Sequence, residues 1–149
     1  TMAYEVVLKN LPLLFAVRDD DIGIAKNLCK EIKQTLPDSN VEFCRFSELS
    51  GDIDLLVNAT PVGMFPKVDN QPISDSIISR CANVFDAVYN PLETVLIKKA
   101  KANGAKAKGG MAMLVWQAVV SHEKWDGSFY DKYDIAKLCI DASNELKNR

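Results

Sequence analysis

The stretch NVFDAVYNPLETVLIKKAKANGAKAK, residues 83–108, decides the fold that this sequence predicts. It opens on a short apolar run that ends in polar residues, Asn83–Tyr89, as buried strands do. A helix is expected next, with Pro91 at or near its first turn and an apolar face made of Leu92, Leu96, Ile97 and Ala100. Asn103-Gly104 ends that helix as a left-handed cap would, and Ala105–Lys108 can form a second strand. This order indicates a parallel strand pair with a crossover helix.

The same alternation continues on both sides of that stretch. Residues 1–10 suit a helix or a strand, and we favour a helix. Further strands are predicted at Leu13–Val17, Val41–Phe46 and Ile53–Asn58, the last apolar enough to be buried on both faces. Further helices are predicted through Ile22 to Ile32 with Asp20 or Asp21 as cap, around Ser74–Ser79, and over Met111–Trp125 and Tyr133–Leu146. The sequence thus predicts an α/β fold in one domain, residues 1–149: a Rossmann-like, doubly wound parallel sheet with helices on both faces.

The composition excludes several classes of protein. A hydrophobic fraction of 48% and a charged fraction of 26% are ordinary for a folded globular chain. The formal net charge of -2 provides no field that would gather nucleic acid or an anionic membrane. No apolar run reaches the roughly 20 residues of a membrane helix. We therefore expect a cytoplasmic protein that binds neither nucleic acid nor membrane.

The cysteines and the single histidine give no sign of a metal or redox site. Cys29, Cys44, Cys81 and Cys139 stand far apart, so we expect reduced thiols in the core and no metal. His122 lies in a helical stretch without a carboxylate pattern near it, and a surface or packing role is favoured over that of a base.

Ligands of doubly wound sheets bind beyond the carboxyl ends of the strands, so the residues that follow each strand are the candidates for a site. Arg18 follows the predicted strand Leu13–Val17, where a guanidinium could bind the 2'-phosphate of NADP. A surface arginine paired with the acids Asp19, Asp20 and Asp21 explains it equally well.

Three later segments also place polar or glycine residues after a strand. In NATPVGM, residues 58–64, the Thr60 hydroxyl could meet a ribose or phosphate. Asn90 before a proline should be extended and project Tyr89 with its hydroxyl free, although a buried structural tyrosine is commoner. The third segment is GGMAMLVWQ, residues 109–117. Gly109 and Gly110 would let a cofactor ring approach the backbone, and Met113 would offer that ring a pliable apolar surface. Gln117 could bind a hydroxyl. For these, turn formation and core packing are the competing explanations.

Three segments in series, NATPVGMFP (58–66), FDAVYNPLETVLIKKAKANGAK (85–106) and GGMAMLVWQAVVSHEKWDG (109–127), resemble the consecutive signatures of shikimate dehydrogenases. The resemblance runs from about Arg18 to Gly127. Members of that family use NADPH to reduce 3-dehydroshikimate to shikimate in the chorismate pathway to aromatic amino acids. The resemblance thus implies an oxidoreductase with NADP as cofactor and a small-molecule substrate.

The resemblance also implies roles for single residues. Arg18 would hold the NADP phosphate. Asp19 beside it adds negative charge, so the preference between NADP and NAD stays open. Met113 would pack near the nicotinamide, and Tyr89 and Gln117 would reach the substrate. The remaining cofactor contacts would come from Thr60, Ala87 and Gly110. We expect Arg18, Thr60, Tyr89 and Gly110 to converge along one crevice, with Gln117 one or two helical turns beyond.

Parts of the family pattern are not found in this sequence. These are the earlier substrate domain, with its Lys and Asp pair for proton transfer, and the first strand of the nucleotide fold with its glycine-rich turn. That strand lies in the middle of the family's sheet, so its absence would leave neighbouring strand edges unpaired and apolar faces uncovered. We therefore expect a portion of a two-domain enzyme that has no catalytic residue of its own and is inactive alone. The alternatives are an NAD-preferring quinate/shikimate dehydrogenase and a non-catalytic nucleotide-binding module.

Overall fold

A computed structural model describes residues 2–148 of the chain, and Thr1 and Arg149 lie outside the described residues. The chain divides into two compact units, Thr1–Ser50 and Gly51–Arg149. Each unit is built of parallel strands and helices, so the predicted α/β class is confirmed.

The first unit contains a two-stranded parallel sheet and two helices. In chain order the elements are α1 (Met2–Leu8), β1 (Leu13–Val17), α2 (Ile22–Thr35) and β2 (Val41–Arg45), with short 3-10 turns at Asp19–Asp21 and Phe46–Glu48. Leu13 of β1 pairs with Val41 of β2. Its core is small and consists of Val7, Cys29, Ile32 and Val41. The helix favoured for the first ten residues is confirmed over Met2–Leu8.

The second unit contains a three-stranded parallel sheet in the order β3-β4-β5. Its elements are β3 (Ile53–Asn58), α3 (Asp75–Ile78), β4 (Cys81–Asp86), α4 (Val95–Ala102), β5 (Lys106–Lys108), α5 (Met111–Asp126) and α6 (Lys132–Lys147). The interior under the sheet includes Ile78, Leu96 and Ala100, each fully buried. Since strand order follows chain order, α3 and α4 each connect neighbouring strands.

Helix α4 begins later than the sequence pattern predicts. Its first residue is Val95, and the hydroxyl of Thr94 accepts from the Ile97 amide at 3.3 Å as an N-cap. Pro91 therefore lies in the preceding turn and not in the first turn of the helix. A threonine at the cap satisfies an amide that would otherwise lack a partner, and this decides the start of the helix.

Strand β3 is less buried than its apolar sequence predicts. Leu55 is 55% and Val57 39% exposed, so the expectation of burial on both faces is wrong. Among the described residues β3 pairs only with β4, and β1 only with β2. Leu14 of β1 is likewise 47% exposed. Within the described residues, each sheet therefore has an unpaired edge and exposed apolar side chains.

Helix α5 buries one stripe of its surface against α6. Val115 and Val119 are buried and pack with Ile135 of α6, whereas Leu114 and Val120 are exposed. Residues four apart on one helix share a face, and the contact with α6 decides which face is covered. None of the helices between residues 2 and 148 combines the length and the apolar character needed to cross a membrane.

The four cysteines are free, as predicted, although only Cys29 and Cys81 are buried. Burial raises the pKa of both thiols. His122 is half-exposed, and its Nδ1 lies 3.4 Å from Oδ2 of Asp126, so the expectation that no carboxylate lies near this histidine is wrong. In the described part of the chain, no group of three or more His, Cys, Asp or Glu side chains could hold a metal ion.

Candidate functional site

In the first unit, two arginines stand at the carboxyl ends of neighbouring parallel strands. The register pairs Val17 of β1 with Arg45 of β2, and Arg18 follows directly. Arg18 Nε donates to Asp21 Oδ2 at 2.9 Å, and its Nη2 lies 2.8 Å from the same oxygen. The Arg18 side chain is 73% exposed. Arg18 is thus an accessible guanidinium that is already engaged by one carboxylate.

Asp19 pairs with the second arginine instead of Arg18. Arg45 Nε lies 2.8 Å from Asp19 Oδ1, and Arg45 Nη1 lies 2.8 Å from Glu48 Oε1. The Arg45 amide also donates to Glu48 Oε2 at 2.9 Å. This backbone hydrogen bond and the side-chain one hold the pKa of Glu48 below its usual value. Both guanidiniums at this edge therefore have acidic partners.

In the second unit, the turn after β3 is organised by a buried asparagine. The Asn58 carboxamide donates to the Val62 carbonyl at 3.2 Å. Its Oδ1 accepts from the Thr60 amide at 3.1 Å and from the Thr60 hydroxyl at 2.7 Å. Thr60 is exposed, but its hydroxyl proton is committed to Asn58. The Thr60 hydroxyl, predicted to meet a ribose or phosphate, can therefore act there only as an acceptor. It already accepts one hydrogen bond, from the Val62 amide at 3.3 Å.

A carboxylate with no exposed surface joins the ends of β3 and β4 to the start of α4. Asp86 Oδ1 accepts from Asn58 Nδ2 at 2.9 Å and from the Val88 amide at 3.0 Å. Its Oδ2 accepts from the Thr94 hydroxyl at 2.6 Å. Asn58 and Thr94 are themselves buried, and we call these three side chains the Asp86 network. Three donors compensate the carboxylate for the water it loses.

Tyr89 projects from the turn after β4. It is 40% exposed, so the buried structural tyrosine weighed against a ligand contact is not what the structure shows. Its hydroxyl has no hydrogen-bond partner among the described residues. The ring lines a largely apolar cleft of about 210 Å³ with Met111, Leu114, Ala142, Glu145 and Leu146.

The glycine pair before α5 is packed against the protein's own backbone. A Cβ on Gly110 would lie 2.1 Å from the Ala87 carbonyl oxygen, and one on Gly109 would lie 2.9 Å from the Leu92 carbonyl oxygen. The Gly110 amide donates to the Val88 carbonyl at 2.9 Å. From the sequence, a cofactor ring was expected in the space beside these glycines. Beside Gly110 that space holds the turn after β4 instead.

Met113 and Gln117 lie one helical turn apart on α5, and so on one face. Met113 is half-buried, and Gln117 is exposed. Their roles toward a cofactor and a substrate stay predictions.

The structure gathers part of the predicted set at one edge. Thr60, Tyr89 and Gly110 each follow the carboxyl end of a strand in the parallel sheet β3-β4-β5. The Ala87 amide donates to the Asn58 carbonyl at 2.9 Å, which fastens two of these turns together. Arg18 and Asp19 belong to the first unit, and their convergence with the others stays a prediction.

Asn58, Asp86 and Thr94 were not singled out from the sequence. The available signal was a polar residue closing each of two apolar strands, IDLLVN and CANVFD. A threonine ahead of the apolar run of α4 was a second signal, since threonine is a good N-cap.

The chain is similar in sequence to curated shikimate dehydrogenases (NADP(+)). The protein of Caldanaerobacter subterraneus subsp. tengcongensis is 38% identical over 110 residues, which are 72% of this chain and 39% of that protein. The protein of Methanocaldococcus jannaschii is 41% identical over 107 residues, 69% of this chain and 38% of that protein. This chain thus spans about two fifths of the length of the curated relatives it matches. No protein-family model matches it.

Solved structures of related enzymes share the fold. A shikimate dehydrogenase in complex with NADP+ is 32% identical and superposes with a TM-score of 0.78, covering 94% of this chain and 49% of the other. Quinate dehydrogenase from Corynebacterium glutamicum in complex with NAD is 28% identical with a TM-score of 0.75, covering 92% and 48%. The fold of this chain therefore superposes on about half of each of these enzymes.

Proposed function

Because this chain shares sequence and fold with shikimate dehydrogenases over about two fifths of their length, we propose that it is the nucleotide-binding portion of an NADP-dependent enzyme of that kind. The observation that carries this proposal is the sequence identity of 38% over 110 residues. When bound, NADPH would supply a hydride to the carbonyl carbon of 3-dehydroshikimate, and a proton delivered to the carbonyl oxygen would complete shikimate.

The residues at the strand ends are chemically suited to a dinucleotide. Arg18 is accessible and carries the fork of donors that binds a phosphate. Met113 is a half-buried apolar side chain on α5, suited to packing against a nicotinamide. Thr60 can accept a hydrogen bond from a ribose hydroxyl. The backbone of Ala87 and Gly110 fixes the start of α5, and we assign these two residues to the cofactor through that backbone.

Tyr89 and Gln117 are assigned to the substrate. Tyr89 has a hydroxyl without a partner among the described residues, and Gln117 is exposed and can both donate and accept. We infer that the acid or base for the proton lies in a substrate domain elsewhere in the full-length protein, because the family resemblance places a Lys and Asp pair there. On this proposal the chain alone is inactive.

The proposed activity is tested on the full-length protein that contains this chain. Shikimate and quinate are each offered with NADP+ and with NAD+, and the reduced nicotinamide is followed by absorbance. Turnover of shikimate with NADP+ is expected. Turnover of neither substrate with either cofactor would overturn the proposal, and NADP+ binding without turnover would indicate a nucleotide-binding module.

A quinate/shikimate dehydrogenase that prefers NAD is the second candidate. The observation that favours it is the pairing of Arg18 with Asp21, which engages the guanidinium that a 2'-phosphate would need. Higher turnover of quinate with NAD+ in the same assay would select this alternative.

Gln117→Ala is expected to weaken shikimate binding about three- to tenfold, the loss of one net hydrogen bond, and to change NADP+ binding less than about twofold. Titration of the full-length protein with each ligand measures both effects. Glu123→Ala, an exposed change on the same helix, is the control and should affect neither ligand. Equal losses of both ligands in Gln117→Ala would remove the role assigned to Gln117.

A further inference from the structure

One edge of the Arg18 guanidinium is already occupied by a carboxylate. Nε and Nη2, the two nitrogens of one guanidinium edge, both lie within 2.9 Å of Asp21 Oδ2. A phosphate that binds this edge in the two-pronged manner has to displace the Asp21 carboxylate or share the guanidinium with it.

The second guanidinium at this end of the sheet is also engaged by carboxylates. Arg45, at the end of the neighbouring strand, is engaged by Asp19 and Glu48. Residues 18–21 and 45–48 together carry two guanidiniums and four carboxylates, a formal charge of -2. A phosphate monoester adds further negative charge of up to two units at neutral pH. A ribose hydroxyl adds none.

Asp21 is committed to Arg18 and not to helix α2. It occupies the N-cap position of α2, but within the described chain its side chain makes no cap hydrogen bond. Its replacement therefore leaves the helix-capping hydrogen bonds of α2 unchanged.

We propose that Asp21 is a specificity-determining residue whose carboxylate competes with the 2'-phosphate of NADP for Arg18 and so lowers the preference for NADP over NAD. The inference rests on the proposed function, since it requires a dinucleotide at the end of β1. Asp21 touches no reacting atom and acts through Arg18. The same pairing spares NAD, whose ribose carries an uncharged hydroxyl at that position.

The test compares Asp21→Asn with Asp20→Asn in the full-length protein, with Kd values for NADP+ and NAD+ measured by calorimetry. Both variants remove one carboxylate charge near the start of α2, but among the described residues only Asp21 pairs with Arg18. An exposed ion pair and the repulsion of a nearby phosphate each change affinity by up to about fivefold. NADP+ is therefore expected to bind about three- to tenfold more tightly to Asp21→Asn, whereas the Kd of NAD+ should change less than about twofold.

Asp20→Asn is expected to change either Kd less than about twofold, because exposed charges without direct contact are screened by salt. In an Arg18→Ala background, Asp21→Asn should give no more NADP+ affinity than Asp20→Asn gives. Equal effects of the two asparagine variants on NADP+, or a gain that persists without Arg18, would overturn the inference while leaving the proposed function intact. A wild-type protein that binds neither dinucleotide would overturn both.

Discussion

Gly110→Ala is expected to destabilise the second unit by about 3 kcal/mol or more, the upper end of what overpacking costs. The new methyl group would lie 2.1 Å from the Ala87 carbonyl oxygen and 2.6 Å from the Ala87 carbonyl carbon. Both atoms belong to backbone that the Ala87 amide fixes to Asn58 at 2.9 Å. Backbone held in this way cannot move aside as the end of a flexible side chain can, so α5 has to shift away from β4.

Urea unfolding followed by circular dichroism measures this change in the free energy of unfolding. Gly23→Ala is the control, because a Cβ at Gly23 meets nothing within 4 Å and the residue lies in the first turn of α2. That substitution should be neutral or stabilise by up to about 1 kcal/mol, the usual difference between alanine and glycine in a helix. A Gly110→Ala variant as stable as wild type would show that the close contact with Ala87 is not present in solution.

Asp86→Ala is expected to cost about 3 to 5 kcal/mol of folding stability, because it leaves three buried donors without an acceptor. These donors are Asn58 Nδ2, the Val88 amide and the Thr94 hydroxyl, at 2.6–3.0 Å from the carboxylate. The variant should also loosen the turns that carry Thr60 and Tyr89, since Asn58 and Val88 connect the network to them. Binding of both cofactor and substrate is then expected to weaken.

Two further variants distinguish the effect of losing a buried hydrogen bond from the effect of losing an exposed carboxylate. Thr94→Val removes one hydrogen bond to Asp86 and the N-cap of α4, so a smaller loss of about 1 to 2 kcal/mol is expected. Asp54→Ala removes an exposed carboxylate from β3 and should change stability by less than about 0.5 kcal/mol. Urea unfolding should show the largest loss of unfolding free energy for Asp86→Ala, a smaller loss for Thr94→Val and the smallest for Asp54→Ala. An Asp86→Ala variant within about 1 kcal/mol of wild type would contradict the buried network.

The residues assigned to ligands are held in place by buried residues that have no assigned ligand contact. Tyr89 and Thr60 are exposed, and their positions follow from Asn58 and Asp86 beneath them. Gly110 sets the distance between α5 and the turn after β4, which brings Met111 and Leu114 beside Tyr89 in the same cleft. A change in the buried layer is therefore expected to affect ligand binding without touching a ligand.

The amino-acid sequence alone was sufficient for the element order and for the segments that carry the family resemblance. β1 and β3 begin and end at the predicted residues, and α5 ends within one residue of its prediction. Apolar periodicity and turn residues are local signals, read from neighbours two to four positions away, and strands and helices obey them closely.

Only the tertiary structure decided which of those residues meet. Asp86 finds Asn58 across 28 positions of sequence, and Gly110 faces Ala87 across a helix and a strand, because parallel pairing brings strand ends together. The exposure of Leu55 and Val57 on β3, and the engagement of Arg18 by Asp21 instead of Asp19, also depend on neighbours in space. Local patterns specify the secondary structure of each segment. Strand register and packing decide which residues meet in space, and local periodicity does not name those partners.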